Sequence, residues 1–238
     1  SNPDFRYTAQ DLKEFFKDKE IKNLLLINPD NPSGNYIPFD ELKGLIEWTA
    51  KNSINLIVDE SFVDFTENYR QASLLNNDIL TANPHLTVVK SISKSYGVPG
   101  LRLGIVASGN TVMMDKMRKE VAIWNINSFA EFYMQIFNKY EKDYQEACGK
   151  FIQERTLFLN ELKEIPFLRV IPSQANYFLC EVTAKYTSSQ LTQKLLDESN
   201  ILIKDCGQQS AFARKNYIRI AIRGREDNSK LVQKLRQL

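Results

Sequence analysis

The sequence predicts an α/β protein: a mainly parallel sheet with flanking helices, followed by a smaller α+β domain. Three observations predict it. Up to about Asn110, short apolar runs that end in turn residues alternate with amphipathic helical patterns, as parallel strands joined by crossovers require. A long helical pattern then spans roughly Ser128–Leu162. Beyond it, short strand-like and helix-like segments mix. These changes of texture divide the chain into a larger domain over residues 1–125, a connecting helical region over 126–162 and a small domain over 163–238.

Thr8–Asp18 places Leu12, Phe15 and Phe16 on one helical face, with Thr8 as the cap. Asn23–Asn28 (NLLLIN) has the length of one buried strand and runs into the dense turn signal Pro29-Asp30-Asn31-Pro32-Ser33-Gly34. Pro38–Asn52 is an amphipathic helix with proline near its first turn. Asn55–Asp59 (NLIVD), Leu86–Lys90 (LTVVK) and Leu103–Ala107 (LGIVA) supply three more strands. Thr111–Glu120 is helical, and the longer pattern after it is expected to break near Gly149. In the last part the strands are Asn176–Glu181, Ile201–Lys204 and Tyr217–Ile222, and the helices Ser189–Asn200 and Asp227–Leu238.

Composition narrows the function. Lys and Arg number 31 against 29 Asp and Glu, a net charge of +2. That balance argues against a nucleic-acid or membrane surface as the main partner. No apolar run reaches the roughly 18 residues of a membrane helix. Cys148, Cys180 and Cys206 form no CxxC pair and read as reduced thiols of a cytoplasmic protein, not as a zinc site. The single histidine, His85, is expected in a surface loop and leaves little room for a Ser-His-Asp mechanism. Catalysis would then rest on Lys, Asp, Arg or Tyr, or on a cofactor.

Four polar residues follow strand ends in order: Asn31 after the first strand, Asp59 closing the second, Lys94 after the third, and Arg102 eight positions beyond Lys94. Ligands of open parallel sheets bind beyond the carboxyl ends of the strands. Each residue alone has a plainer reading: turn-making for Asn31, a helix cap for Asp59, a solvated cation for Lys94 and Arg102. Their joint placement is much harder to explain that way.

At these residues the chain resembles the pyridoxal-phosphate enzymes of aminotransferase class I and II, fold type I. NPDNPSG resembles their NPxNPTG turn, VDESF their (V/L)DEAY segment, and SISKSYGVPGLRLG their cofactor-lysine loop. The likeness extends to Tyr217-Ile218-Arg219-Ile220. It implies that Lys94 carries the cofactor as a Schiff base and shuttles a proton, and that Asp59 keeps the pyridine nitrogen protonated. Asn31 would donate to the phenolic oxygen, Arg102 and Ser91 would bind the phosphate, and Arg219 would hold the substrate carboxylate. The implied activity is that of an aminotransferase acting on an amino acid or amino-phosphate, as a homodimer.

Two departures stand out. Phe62 replaces the family's tyrosine and cannot donate to the phenolic oxygen. Nothing before Asn23 resembles the family's glycine-rich phosphate loop or its stacking aromatic, so the likeness is to the C-terminal part of such an enzyme. That raises another expectation, a non-catalytic folding or dimerisation module. Within the family, histidinol-phosphate aminotransferase and threonine-phosphate decarboxylase are the nearest subgroups. The second is carried by DESFVDF at Asp59–Phe65, Trp124-Asn125-Ile126-Asn127, Ala175-Asn176-Tyr177-Phe178-Leu179 and Arg219–Arg223. It implies Asn176 and Lys204 as substrate contacts, Lys204 standing where that subgroup has a second arginine, and decarboxylation as the alternative reaction. Trp124 and Phe129 read as core or interface residues, and Tyr96 as either packing or a site residue. Arg223 reads as a second anion contact or a solvated cation.

Overall fold

The computed structural model describes residues 2–207, 212 and 215–238. The chain forms two compact units: an N-terminal one of Arg6–Asp30 and Tyr36–Cys148, and a C-terminal one of Ser1–Phe5, Asn31–Asn35 and Gly149–Leu238.

The N-terminal unit is built on strands β1 (Asn23–Ile27), β2 (Asn55–Asp59), β3 (Leu86–Ser91) and β4 (Gly104–Ser108), hydrogen-bonded in that order. β1, β2 and β3 are parallel, as the apolar runs predict. β4 lies one residue later than expected and runs antiparallel to β3, pairing Ser91 with Gly104. It reverses because the connection closes on itself, Ile92 N donating to Leu103 O at 3.1 Å. Helices α1 (Ala9–Phe16), α2 (Phe39–Lys51), α3 (Asn77–Ala82), α4 (Ile92–Ser95), α5 (Thr111–Glu120) and α6 (Ser128–Phe137) complete the unit with the start of α7 (Glu141–Lys163). α1 begins at a capping box: Thr8 Oγ1 accepts from Asp11 N while Thr8 N donates to the Asp11 carboxylate. α2 buries Leu42, Leu45 and Ile46 with the alternate strand residues Leu24, Leu26, Leu56, Val58, Leu86 and Val88. His85 is half-buried rather than a free loop residue; its Nε2 lies 3.0 Å from Ile46 O and 3.2 Å from Thr49 Oγ1 of α2.

The C-terminal unit has an antiparallel sheet in the order β5 (Leu168–Ile171), β6 (Tyr177–Val182), β8 (Tyr217–Ala221), β7 (Lys204–Asp205). Its helices are the rest of α7, α8 (Ser188–Ser199) and α9 (Arg225–Arg236). Phe158 and Leu162 of α7 pack on Phe178, Ile218 and Ile220, with Leu191 and Leu195 of α8 and Leu231 and Leu235 of α9 in the same core.

The long helical pattern breaks at Asn138–Tyr140, not at Gly149. Glycine keeps its N–H and costs a helix only about 1 kcal/mol, whereas asparagine competes for backbone hydrogen bonds. β7 is only two residues long because Ile201 ends α8: its N–H donates to Leu195 O, with Asn200 left-handed at the cap.

Gly109 sits where a Cβ would meet Leu80 O at 2.0 Å, while a Cβ on Gly149 would meet nothing within 4 Å. Gly109→Ala should therefore lower unfolding stability by about 1–3 kcal/mol. Gly149→Ala should raise it by up to about 1 kcal/mol. Denaturant midpoints of the two variants check both.

Candidate active site

In the N-terminal unit, the carboxyl ends of β2 and β3 bring Asp59, Ser61, Ser91, Lys94 and Arg102 into one stretch of connected structure. Asp59 is half-buried and ends β2 in register with Val89. Its Oδ1 accepts from Ser61 N at 2.8 Å and from Ser61 Oγ at 2.5 Å. Ser61 Oγ in turn accepts from Ser91 N at 3.0 Å. Both Ser61 donors fall on one oxygen, so Asp59 Oδ2 keeps its acceptor capacity. The Ser91 hydroxyl has no partner among the described residues.

Lys94 lies in the one-turn helix α4 and is exposed. No carboxylate pairs with it among the described residues; its Nζ lies 5.9 Å from the centre of the Phe62 ring. Arg102 follows the turn Pro99–Leu101 with φ 57°, a left-handed conformation that non-glycine residues adopt rarely. Its Nη1 donates to Pro99 O at 3.1 Å, leaving most of the guanidinium unengaged.

Beneath this stretch lie Asp64 and Lys90, to which the sequence reading gave no individual role. Asp64 and Lys90 form a buried ion pair at 2.7 Å, and Ser95 Oγ donates to the other Asp64 oxygen at 2.6 Å. Lys90 occupies the alternate position of β3 that follows Leu86 and Val88, so period two places a cation on an apolar face. That was the available signal. Tyr96 is packing: its ring stacks on Tyr144 at 4.4 Å, and burial together with the Asp64 charge pushes its phenol up to about 12. The Tyr144 phenol is pushed up further by the same causes, and its hydroxyl is buried without a hydrogen-bond partner among the described residues. Glu60, next to Asp59, is buried and accepts from Ser73 Oγ at 2.5 Å and Leu74 N at 2.6 Å. Burial raises its carboxyl above the ordinary value despite those donors.

The C-terminal unit holds the remaining sequence-predicted residues. Asn31 Oδ1 accepts from Arg219 Nη1 at 2.8 Å. Arg219 also lies 5.0 Å from the centre of the Tyr177 ring. Lys204 of β7 is the register partner of Arg219 on β8, so the two side chains share one face of the sheet. No carboxylate pairs with either among the described residues. Directly opposed like charges destabilise a strand pair, so this pairing is a cost unless an anion bridges it. Asn176 is half-buried just before β6 and its carbonyl accepts from Ile222 N at 2.9 Å. Arg223 is engaged by Asp227 at 2.6 Å in an exposed pair. Gly34, at φ 73°, lies against Ser173, where any Cβ would collide.

Trp124 and Phe129 are 91% and 80% exposed, so neither is a core residue of the chain. Among the described residues no helix is long and apolar enough to cross a membrane, and no cluster of His, Cys, Asp and Glu could hold a metal.

A family model for aminotransferase class I and II matches residues 1–235, and the chain belongs to that family. Its members use pyridoxal phosphate. The chain is 30% identical over 230 residues to a CMP-5'-(3-aminopropyl)phosphonate synthase from Streptomyces rubellomurinus, a match covering 97% of this chain and 36% of that protein. It is 30% identical over 220 residues to the threonine-phosphate decarboxylase of Salmonella typhimurium, covering 92% and 58%. The crystal structure of the histidinol-phosphate aminotransferase from Clostridium acetobutylicum superposes with a TM-score of 0.81 at 25% identity, covering 96% of this chain and 66% of that one. Both nearest subgroups read from the sequence are thus among the relatives, and the fold is that of the family's solved structures. The chain spans 36% and 58% of the length of these two curated relatives.

The raised Glu60 carboxyl has a stability consequence. A carboxyl with a higher value folded than unfolded favours the folded state while both are protonated. That contribution falls as pH rises from the ordinary carboxylate range through the raised folded value. Glu60→Gln should lose this part of the pH dependence and be relatively more stable at neutral pH than in acid, compared with the parent. Thermal midpoints of both proteins across acid to neutral pH check it.

Proposed function

We propose that the protein is a pyridoxal-phosphate enzyme that decarboxylates an amino acid bearing a second anionic group, a phosphate or phosphonate. The observation that carries this reading is the register pairing of Lys204 with Arg219, two cations on one sheet face without a carboxylate between them among the described residues. A substrate with both an α-carboxylate and a phosphoryl group supplies two anions for two cations. The relatives support it, since all three names above carry a phosphorus acid group.

The residues present suit the cofactor: an open carboxylate oxygen on Asp59, an unpaired amine on Lys94, and free donors on Ser91 and Arg102. Pyridoxal phosphate, when bound, supplies an electron sink for the pair released at the substrate α-carbon. Asp59 would hold a proton on the pyridine nitrogen. Arg102 and Ser91 would bind the phosphate. Asn31, its Oδ1 committed to Arg219, keeps its Nδ2 to donate to the phenolic oxygen. Phe62 offers that oxygen no donor. Lys94 would hold the cofactor and return a proton to the α-carbon after carbon dioxide leaves. Arg219 would orient the α-carboxylate, so that geometry selects the bond that breaks. Lys204 would meet the phosphoryl group as a point charge, with Asn176 beside the substrate.

Transamination of an amino acid or amino-phosphate is the second reading, favoured by the family as a whole. The exposed apolar run of Ile123, Trp124, Phe129 and Phe132 supports a homodimer, with a second copy covering it.

With a phospho-amino acid and pyridoxal phosphate, the full-length protein should release carbon dioxide and an amino-phosphate without any keto-acid acceptor. An acceptor-dependent keto product would instead establish the transaminase. Borohydride should trap the cofactor on Lys94; label on Lys90 would refute the assignment. Asp59→Ala should lower turnover by several orders of magnitude, equivalent to roughly 3–5 kcal/mol of lost transition-state stabilisation, with an unchanged circular dichroism spectrum.

A further inference from the structure

The element that carries Lys94 cannot hold its own shape. α4 is one turn, Ile92–Ser95, and an isolated turn lies far below the length at which helices persist in water. It stands between the end of β3 and Gly97, which has φ 65°. Its order must come from contacts at its two ends. At the N-terminal end, Ser91 N donates to Ser61 Oγ, which donates to Asp59. At the C-terminal end, Ser95 Oγ donates to Asp64 Oδ2 at 2.6 Å.

Asp64 is itself immobilised. It is 7% exposed, sits in the turn Val63–Phe65, and gives its other oxygen to Lys90 Nζ at 2.7 Å. Lys90 is 6% exposed and stands two positions before the helix, with Ser91 between. The Tyr96–Tyr144 stack closes the same space, with Cys148 beside it. A buried ion pair is a poor source of net stability, because desolvating two charges offsets their attraction. Its use must be sought elsewhere.

We propose that Asp64 is a positioning residue for Lys94. It divides its carboxylate between Lys90, which fixes the carboxylate, and Ser95, through which it fixes the turn that presents the Lys94 amine. The arrangement also separates two nearby lysines by role. Lys90 is locked in a charge pair inside the protein, and Lys94 is left exposed and, among the described residues, without an acidic partner. The inference rests on the assignment of Lys94 as the cofactor lysine.

Ser95→Ala removes only the link between Asp64 and the turn, and leaves the Lys90–Asp64 pair intact. Asp64→Leu combined with Lys90→Met replaces the pair by apolar groups of similar size, a change that buried pairs commonly tolerate. In the full-length protein, both variants should keep the parent's thermal midpoint within a few degrees. Both should lower affinity for pyridoxal phosphate, read as borohydride-trapped mass on the Lys94 peptide, by about ten-fold. Ser95→Thr, which keeps the hydroxyl, should restore it. Parent-like capture in Ser95→Ala and in the double variant would overturn the proposal. Should the parent itself take no label on Lys94, the cofactor assignment fails, and positioning is then read without cofactor. Amide hydrogen exchange across residues 92–96 should rise about ten-fold in Ser95→Ala and return in Ser95→Thr. Unchanged exchange there would refute it.

Discussion

The N-terminal unit turns on how one carboxylate is shared. Asp59 stands where β2 leaves the sheet, and both donors of Ser61 converge on its Oδ1. Because Ser61 also accepts from the first amide beyond Lys90, that single oxygen fixes the relative heights of the β2 and β3 ends. Were the Ser61 donors spread over both oxygens, each oxygen would be partly engaged and neither wholly open to a ligand. Concentrated on one, they leave an acceptor that is rigid yet available, the combination an electrostatic site group requires.

The C-terminal unit shows a complementary arrangement built from cost. Arg219 is steadied by Asn31 and by the Tyr177 ring, both neutral partners. Neutral partners orient a guanidinium without consuming its charge. Lys204 opposite adds a second charge that repels the first. Buried apolar surface below, through Phe178, Ile218 and Ile220, supplies the stability that tolerates the repulsion. The two units thus use different means: hydrogen-bonded acids in one, unneutralised cations in the other.

Much of this was legible in the sequence. NLLLI and NLIVD are too short and too apolar for helices, and both form parallel strands. The residues at their ends are the ones that project polar groups. What escaped reading were features set by partners distant in sequence. β5 is only four residues long, following Pro166, and shows no usable period until β6 pairs with it. α3 begins in Asn76-Asn77-Asp78, which reads as a turn; the cap is visible only once Asn76 accepts from Asp78 N and Ile79 N. Lys90 and Asp64 lie 26 positions apart, and neither marks the other until β3 and the turn after β2 are neighbours. Local pattern specifies elements, while buried polar pairs belong to the tertiary structure.

The left-handed backbone at Arg102 has an evolutionary consequence. An L-residue with a side chain gives up about 1–2 kcal/mol in that conformation, and glycine gives up almost none. Selection for thermal robustness alone would therefore drift toward glycine here, and would delete a guanidinium in doing so. The arginine here therefore carries a conformational cost that its guanidinium does not recover from any carboxylate among the described residues. Libraries screened only for expression or heat tolerance should be expected to erode this position first, well before they touch the apolar core.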